Sequence, residues 1–162
     1  NSVALGFPVG LMICNDKGSQ TQLAATEGRI SFRNNVFAGM TITGSDKDAS
    51  FKDSLSVNAS TFDKQAAESF SASFFKQSSN NNTLYANAQA LMLSQPSSLL
   101  PNPNWGPLPG SPLVNKSNLF TGNDFTDSFF DKVTFIGAFR SDASVDNWAL
   151  GWTNFNPQHT SY

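Results

Sequence analysis

The sequence predicts a mainly β fold, a parallel β-helix that carries one or two short helices and ends in an aromatic, Pro/Gly-rich C-terminal cap. Three observations predict it. Compact apolar runs stop at turn signals and are joined by long connections instead of two-residue hairpin turns. Residues around Asn34-Asn35 read as strand, corner, strand. In the last third, Phe and Trp are punctuated by Pro and Gly and do not recur at helical spacing, as in loops clamped onto an apolar surface.

Taken in order, Val3 to Cys14 is apolar but interrupted by Gly6, Pro8 and Gly10, so at roughly twelve residues it is too short and too broken to span a bilayer. Leu11 to Ile13 reads as a buried strand ending at Asn15-Asp16-Lys17-Gly18. The chain opens with no basic leader region, which predicts a leader already removed or a start inside a longer protein. Cys14 is the single cysteine, excluding an intrachain disulfide and a thiolate metal cage, and its apolar neighbours predict a buried, inert thiol.

Between Arg29 and Ile42, Ile30 and Phe32 form one strand and Val36, Phe37 and Ala38 begin another. Asn34-Asn35 between them has two readings. It is an ordinary turn, since Asn tolerates left-handed backbone, or a β-helix corner whose inward amides satisfy backbone groups of adjacent coils. Phe62, Ala66, Phe70 and Phe74 then recur at four-residue steps, predicting one amphipathic helix over 63–75, capped by Thr61 or Asp63, with the Phe stripe in the core. A second short helix is expected from Ala86. The predicted organisation is coils over 1–58, a helical insertion over 59–100, and a last coil with its cap over 101–162. Trp105, Phe129, Phe130, Phe135, Phe139, Trp148, Trp152 and Phe155 supply the cap.

Charged residues make up 14% of the chain and the net charge is −2, which argues against a nucleic-acid partner or an electrostatic membrane anchor. No transmembrane segment is expected. The acids are scattered through loops, whereas glycan cleavage needs positioned carboxylates or a base beside a cation. Asp124, Asp127 and Asp131 are close enough in sequence for convergence near a turn to be expected. Asp142, Ser144 and Asp146, followed by Asn147, match the first half of a calcium loop, but its twelfth position is Thr153 and not Glu. Calcium is therefore the one cofactor considered. His159 lies outside any nucleophile motif and reads as an exposed tail residue. Trp105, Trp148 and Trp152 are candidate glycan contacts, because aromatic faces stack on sugar rings, although their Pro and Gly neighbours favour burial. Asn58, Asn81 and Asn115 head short glycosylation sequons, and Ser54 in Asp53-Ser54-Leu55 fits a bacterial O-glycosylation acceptor.

Gly6-Phe7-Pro8-Val9-Gly10-Leu11-Met12-Ile13, the Ile30–Gly39 strand and corner, Pro103-Asn104-Trp105, Pro109-Gly110-Ser111-Pro112-Leu113 and the ending Gly151-Trp152-Thr153-Asn154-Phe155-Asn156-Pro157-Gln158 resemble one family. It is the secreted or surface lipoprotein-like right-handed parallel β-helix proteins of Bacteroidota-type bacteria, and the likeness is to their C-terminal part. The resemblance implies an extracellular or outer-membrane location and N-terminal coils, in this protein or another surface protein, as the partner. The sparse charge and the heavily aromatic cap favour a non-catalytic scaffold for adhesion, glycan contact or assembly. The alternative is the C-terminal part of a pectate-lyase-like enzyme whose groove lies on coils outside this chain. The resemblance supplies no catalytic residue.

Overall fold

Short β-branched and aromatic runs pair side by side in the first half of the chain. The computed structural model describes residues 1–15, 20–47, 69–96 and 102–160, and the chain divides into two units, Asn1–Asn87 and Ala88–Tyr162. The expected divisions at 58 and 100 lie outside the described residues.

The first unit carries β1 (Val3–Leu5), β2 (Val9–Cys14), α1 (Gln20–Thr26), β3 (Val36–Ala38), β4 (Ile42–Lys47), α2 (Phe70–Lys76) and β5 (Thr83–Tyr85). Strands β1, β3 and β5 form one parallel sheet in that order, with Val3 opposite Val36 and Val36 opposite Thr83. A second parallel pair joins β2 to β4, Val9 opposite Ile42. Both helices pack on this pair, α2 on β4 and β2, and α1 on β2.

Asparagines align the three-stranded sheet just before each of its two later strands. The Asn35 side-chain oxygen accepts the Ser2 N–H at 2.9 Å across 33 residues, and Asn82 repeats the contact with the Asn35 N–H at 2.8 Å across 47 residues. The Asn82 amide nitrogen donates to the carbonyls of Phe32 (2.8 Å) and Phe75 (3.1 Å). Beside them, Asn34 and Asn81 adopt left-handed φ angles of 56° and 50°, and the Asn81 amide donates to the Asn34 side-chain oxygen at 2.8 Å. This order is written in the sequence as a degenerate repeat: Asn1-Ser2-Val3-Ala4-Leu5-Gly6, Asn34-Asn35-Val36-Phe37-Ala38-Gly39 and Asn81-Asn82-Thr83-Leu84-Tyr85-Ala86. Gly6 and Gly39 end their copies at φ 64° and 67°, a conformation other residues reach only with strain.

The first unit's core is built on phenylalanine. Phe75 is almost fully buried and stacks on Phe37 with ring centroids 4.5 Å apart, while Phe32 approaches both rings. Ile13, Ala25 and Phe74 form an adjoining cluster against which Leu11, Phe32 and Phe70 pack. α2 begins where polar groups satisfy its free N–H groups. The Ser69 hydroxyl accepts from Ala72 N–H, and the Asp46 carboxylate accepts from Phe70 N–H at 2.7 Å and Ser71 N–H at 2.8 Å.

These observations correct the predicted fold. Among the described residues the strands are short and lie in separate sheets of three, two and two strands, one of them antiparallel, and no stack of β-helix coils is built. Helices, not strands, pack on the β2–β4 pair. Ile30 and Phe32 lie outside the strands: the Ile30 N–H closes the end of α1 by donating to the Ala24 carbonyl. Ser69 is extended (ψ 146°), so no single helix runs over 63–75; Thr61, Phe62, Asp63 and Ala66 lie outside the described residues. Cys14 is exposed, not buried. The cap is corrected too, because residues 102–160 belong to a unit with its own core and several of the expected capping rings face solvent.

That second unit has little regular structure. β6 (Leu93–Gln95) and β7 (Asn104–Pro107) form an irregular antiparallel pair, and the remainder is turns and single 3-10 turns. Leu91, Leu113, Leu119, Ile136 and Ala149 are its buried apolar residues. The buried Ser111 hydroxyl donates to the Leu91 carbonyl at 2.7 Å and accepts the Leu113 N–H at 3.2 Å. At Gly106 the chain passes so close to another loop that a Cβ would sit 2.1 Å from the Ser141 carbonyl oxygen. The expected short helix after Ala86 is a 3-10 turn at Ala88–Leu91.

Candidate functional site: an aromatic face on the second unit

Five rings of the second unit form a continuous chain. Trp105, on β7, meets Phe155 edge-on at 5.1 Å and Phe139 at 6.3 Å. Phe139 stacks on Trp148 at 5.6 Å with planes 11° apart, and Trp148 stacks on Trp152 at 5.7 Å and 28°. Exposure grades along the series. Trp105, Phe139 and Phe155 are half-buried, whereas Trp148 is 55% and Trp152 69% exposed.

Local hydrogen bonding fixes the two outer indoles. The chain makes a non-helical turn after Trp148, with Gly151 at φ 91° and both the N–H and the hydroxyl of Thr153 donating to the Ala149 carbonyl. Trp148 Nε1–H donates to the Ala138 carbonyl at 3.1 Å, and Trp152 Nε1–H donates to the Trp148 carbonyl. Both polar edges are thereby turned inward, leaving apolar ring surface for solvent or a partner. This turn brings the two indoles into contact.

Next to the rings, Asn102, Pro103, Asn147, Ala149, Leu150 and Phe155 help line a shallow cleft with about 20 Å³ of room. That is enough for a water molecule and too little for a ligand ring. A second aromatic group, Phe120, Phe125, Phe130 and Phe129, meets edge to face, and Phe129 is 85% exposed.

The remaining candidates are engaged differently. Ser144 and Asp146 lie in one 3-10 turn, and the Asp146 carboxylate accepts the Ser141 hydroxyl at 2.6 Å. The Asp142 main-chain carbonyl accepts from the Asn104 amide at 2.8 Å. Among the described residues, no three of His, Cys, Asp and Glu are grouped to hold a metal ion. The Asp127 carboxylate accepts the Phe129 N–H at 2.8 Å, and Asp131 is exposed. His159 is exposed in a 3-10 turn. Asn81 and Asn115 are exposed, while Ser54 and Asn58 lie outside the described residues.

The sequence points to Trp105, Trp148 and Trp152 but assigns Phe139 and Phe155 only to a cap. Nothing local in sequence signals that Trp105, over thirty residues away, supports Trp148 and Trp152. No family model matches the chain, and no curated protein or solved structure does.

Proposed function

We propose that this chain is a non-catalytic glycan-contact module of a secreted or cell-surface protein, acting through the Phe139–Trp148–Trp152 face. One observation carries the reading: two stacked indoles are held in the open with both N–H groups turned back onto the unit's own carbonyls. Apolar surface left in water forgoes roughly 25 cal/mol per Å² of stabilisation, so a fixed aromatic face marks a surface that a partner covers. A pyranose ring fits such a face because its C–H side packs flat on an indole while its hydroxyls stay hydrated at the rim. The supporting rings behind the pair hold it in place, which lowers the ordering cost of binding.

Calorimetric titration with soluble neutral oligosaccharides tests this. The wild-type protein binds, and Trp152→Ala and Trp148→Ala each weaken binding by about tenfold or more. Full binding by both variants overturns the proposal. So does a wild-type protein that binds no oligosaccharide but self-associates through the same two residues.

A further inference from the structure

We infer that the three-stranded sheet of the first unit continues into a second copy of this chain, whose β1 pairs with the outer edge of β5 in a head-to-tail contact. The middle strand, β3, is buried along its whole length, whereas β1 is half-buried and Thr83 and Leu84 of β5 are exposed. β5 meets β3 through Thr83, whose N–H donates to the Asn35 carbonyl, and through Tyr85, whose carbonyl accepts the Gly39 N–H. Alternation turns the Leu84 N–H and carbonyl to the outer edge. At the opposite side of the sheet, the Ser2 carbonyl and the Gly6 N–H face β3, so Val3 and Leu5 present the matching open edge.

The asparagine ladder says which strand fits. The second residue of each repeat copy gives its N–H to the second side chain of the next, Ser2 to Asn35 and Asn35 to Asn82. In the step from β3 to β5, the first side-chain amide, Asn81, donates to its counterpart Asn34. Both rungs stop at β5: among the described residues, the Asn82 N–H and the Asn81 side-chain oxygen have no hydrogen-bond partner. A further copy of the repeat supplies an amide donor at its first position and an oxygen acceptor at its second. Asn1 and Ser2 carry those groups at the head of β1, and the parallel direction is the one already used twice within the molecule. Because the two edges differ, the contact repeats from molecule to molecule without closing on a pair.

Sedimentation velocity tests this on the full chain, at concentrations up to about 1 mM. The wild-type protein should pass beyond dimer as concentration rises. Leu84→Lys, which sets a charge on one edge, and Val3→Pro, which deletes an outward N–H from the other, should each stay monomeric. Mixed in equal amounts, these two variants should form a dimer and nothing larger, since each keeps the edge that the other lacks. Trp152→Ala should assemble as the wild type does. A monomeric wild type, a Leu84→Lys variant that still assembles, a mixture that stays monomeric, or assembly that Trp152→Ala abolishes overturns the inference. So does a monomeric protein that takes up a free peptide copying Asn34–Gly39, which would give the edge to a foreign strand.

Discussion

The two units hold their shape by different means. In Asn1–Asn87, register is fixed by parallel strands and by side-chain amides that reach from one strand copy to the next. In Ala88–Tyr162 there is one short irregular strand pair, and order rests on turn hydrogen bonds, a small aliphatic core and rings touching rings. The difference is instructive because each unit spends its aromatics differently. Phe37 and Phe75 are sealed inside the first; Trp148 and Trp152 are displayed by the second. A ring that is a stability device in one place is surface chemistry in the other.

That contrast can be broken most sharply at Phe75. Phe75→Ala should lower unfolding free energy by about 3–5 kcal/mol in urea titration, and a loss below about 1 kcal/mol would mean the phenylalanine pair does not anchor its unit. Asn82→Ala removes an acceptor for the Asn35 N–H and donors to two carbonyls, for a loss of about 2–3 kcal/mol. A surface-like value would reduce the amide ladder to decoration. In the second unit, Gly106→Ala drives a methyl group into the Ser141 carbonyl and should destabilise by about 1–3 kcal/mol. An unchanged melting temperature would show that the two loops slide apart freely.

The smallest effects sharpen the comparison from the other side. The Ser45 hydroxyl is buried and makes no hydrogen bond among the described residues, so Ser45→Ala should be neutral or stabilise by up to about 1 kcal/mol. A clear loss would reveal a buried water bound there. Trp152→Ala should shift stability by no more than about 0.5 kcal/mol while removing glycan binding. A large stability loss would place that indole with the structural rings.

What was readable in the sequence follows from how local each signal is. Val36–Ala38 and the strand through Leu11–Ile13 are short apolar runs bounded by turn residues, and both are strands. β4 was hidden because Ile42-Thr43-Gly44-Ser45-Asp46-Lys47 is mostly polar; it is recruited by pairing with β2, a long-range cause. Cys14 was misjudged from its neighbours' hydrophobicity, although alternation along a strand with Ile13 inward already turns the next residue out. Asn34-Asn35 reads either as an ordinary turn or as a β-helix corner; Asn34 has the left-handed φ of 56° that a turn allows, and the Asn35 amide oxygen accepts the Ser2 N–H. The inferred solenoid around it fails because helices, not further coils, pack on the β2–β4 pair. For the site, the sequence offers the three tryptophans as candidate glycan contacts with Pro and Gly nearby favouring burial, whereas Trp148 and Trp152 are exposed. Gly151, at φ 91°, shapes the turn beside the exposed Trp152.

The stacked indole pair also has an optical consequence. Two like chromophores 5.7 Å apart, with planes inclined by 28°, share their excitations, and an inclined coupled pair rotates light where isolated indoles scarcely do. The far-ultraviolet circular dichroism should therefore carry a couplet of opposite-signed bands superposed on the weak helical signal. Because both partners stand in solvent, a molecule settling on Trp152 perturbs one oscillator and reshapes the couplet. The surface thus carries a built-in reporter of its own occupancy, one that needs no dye, label or added mutation.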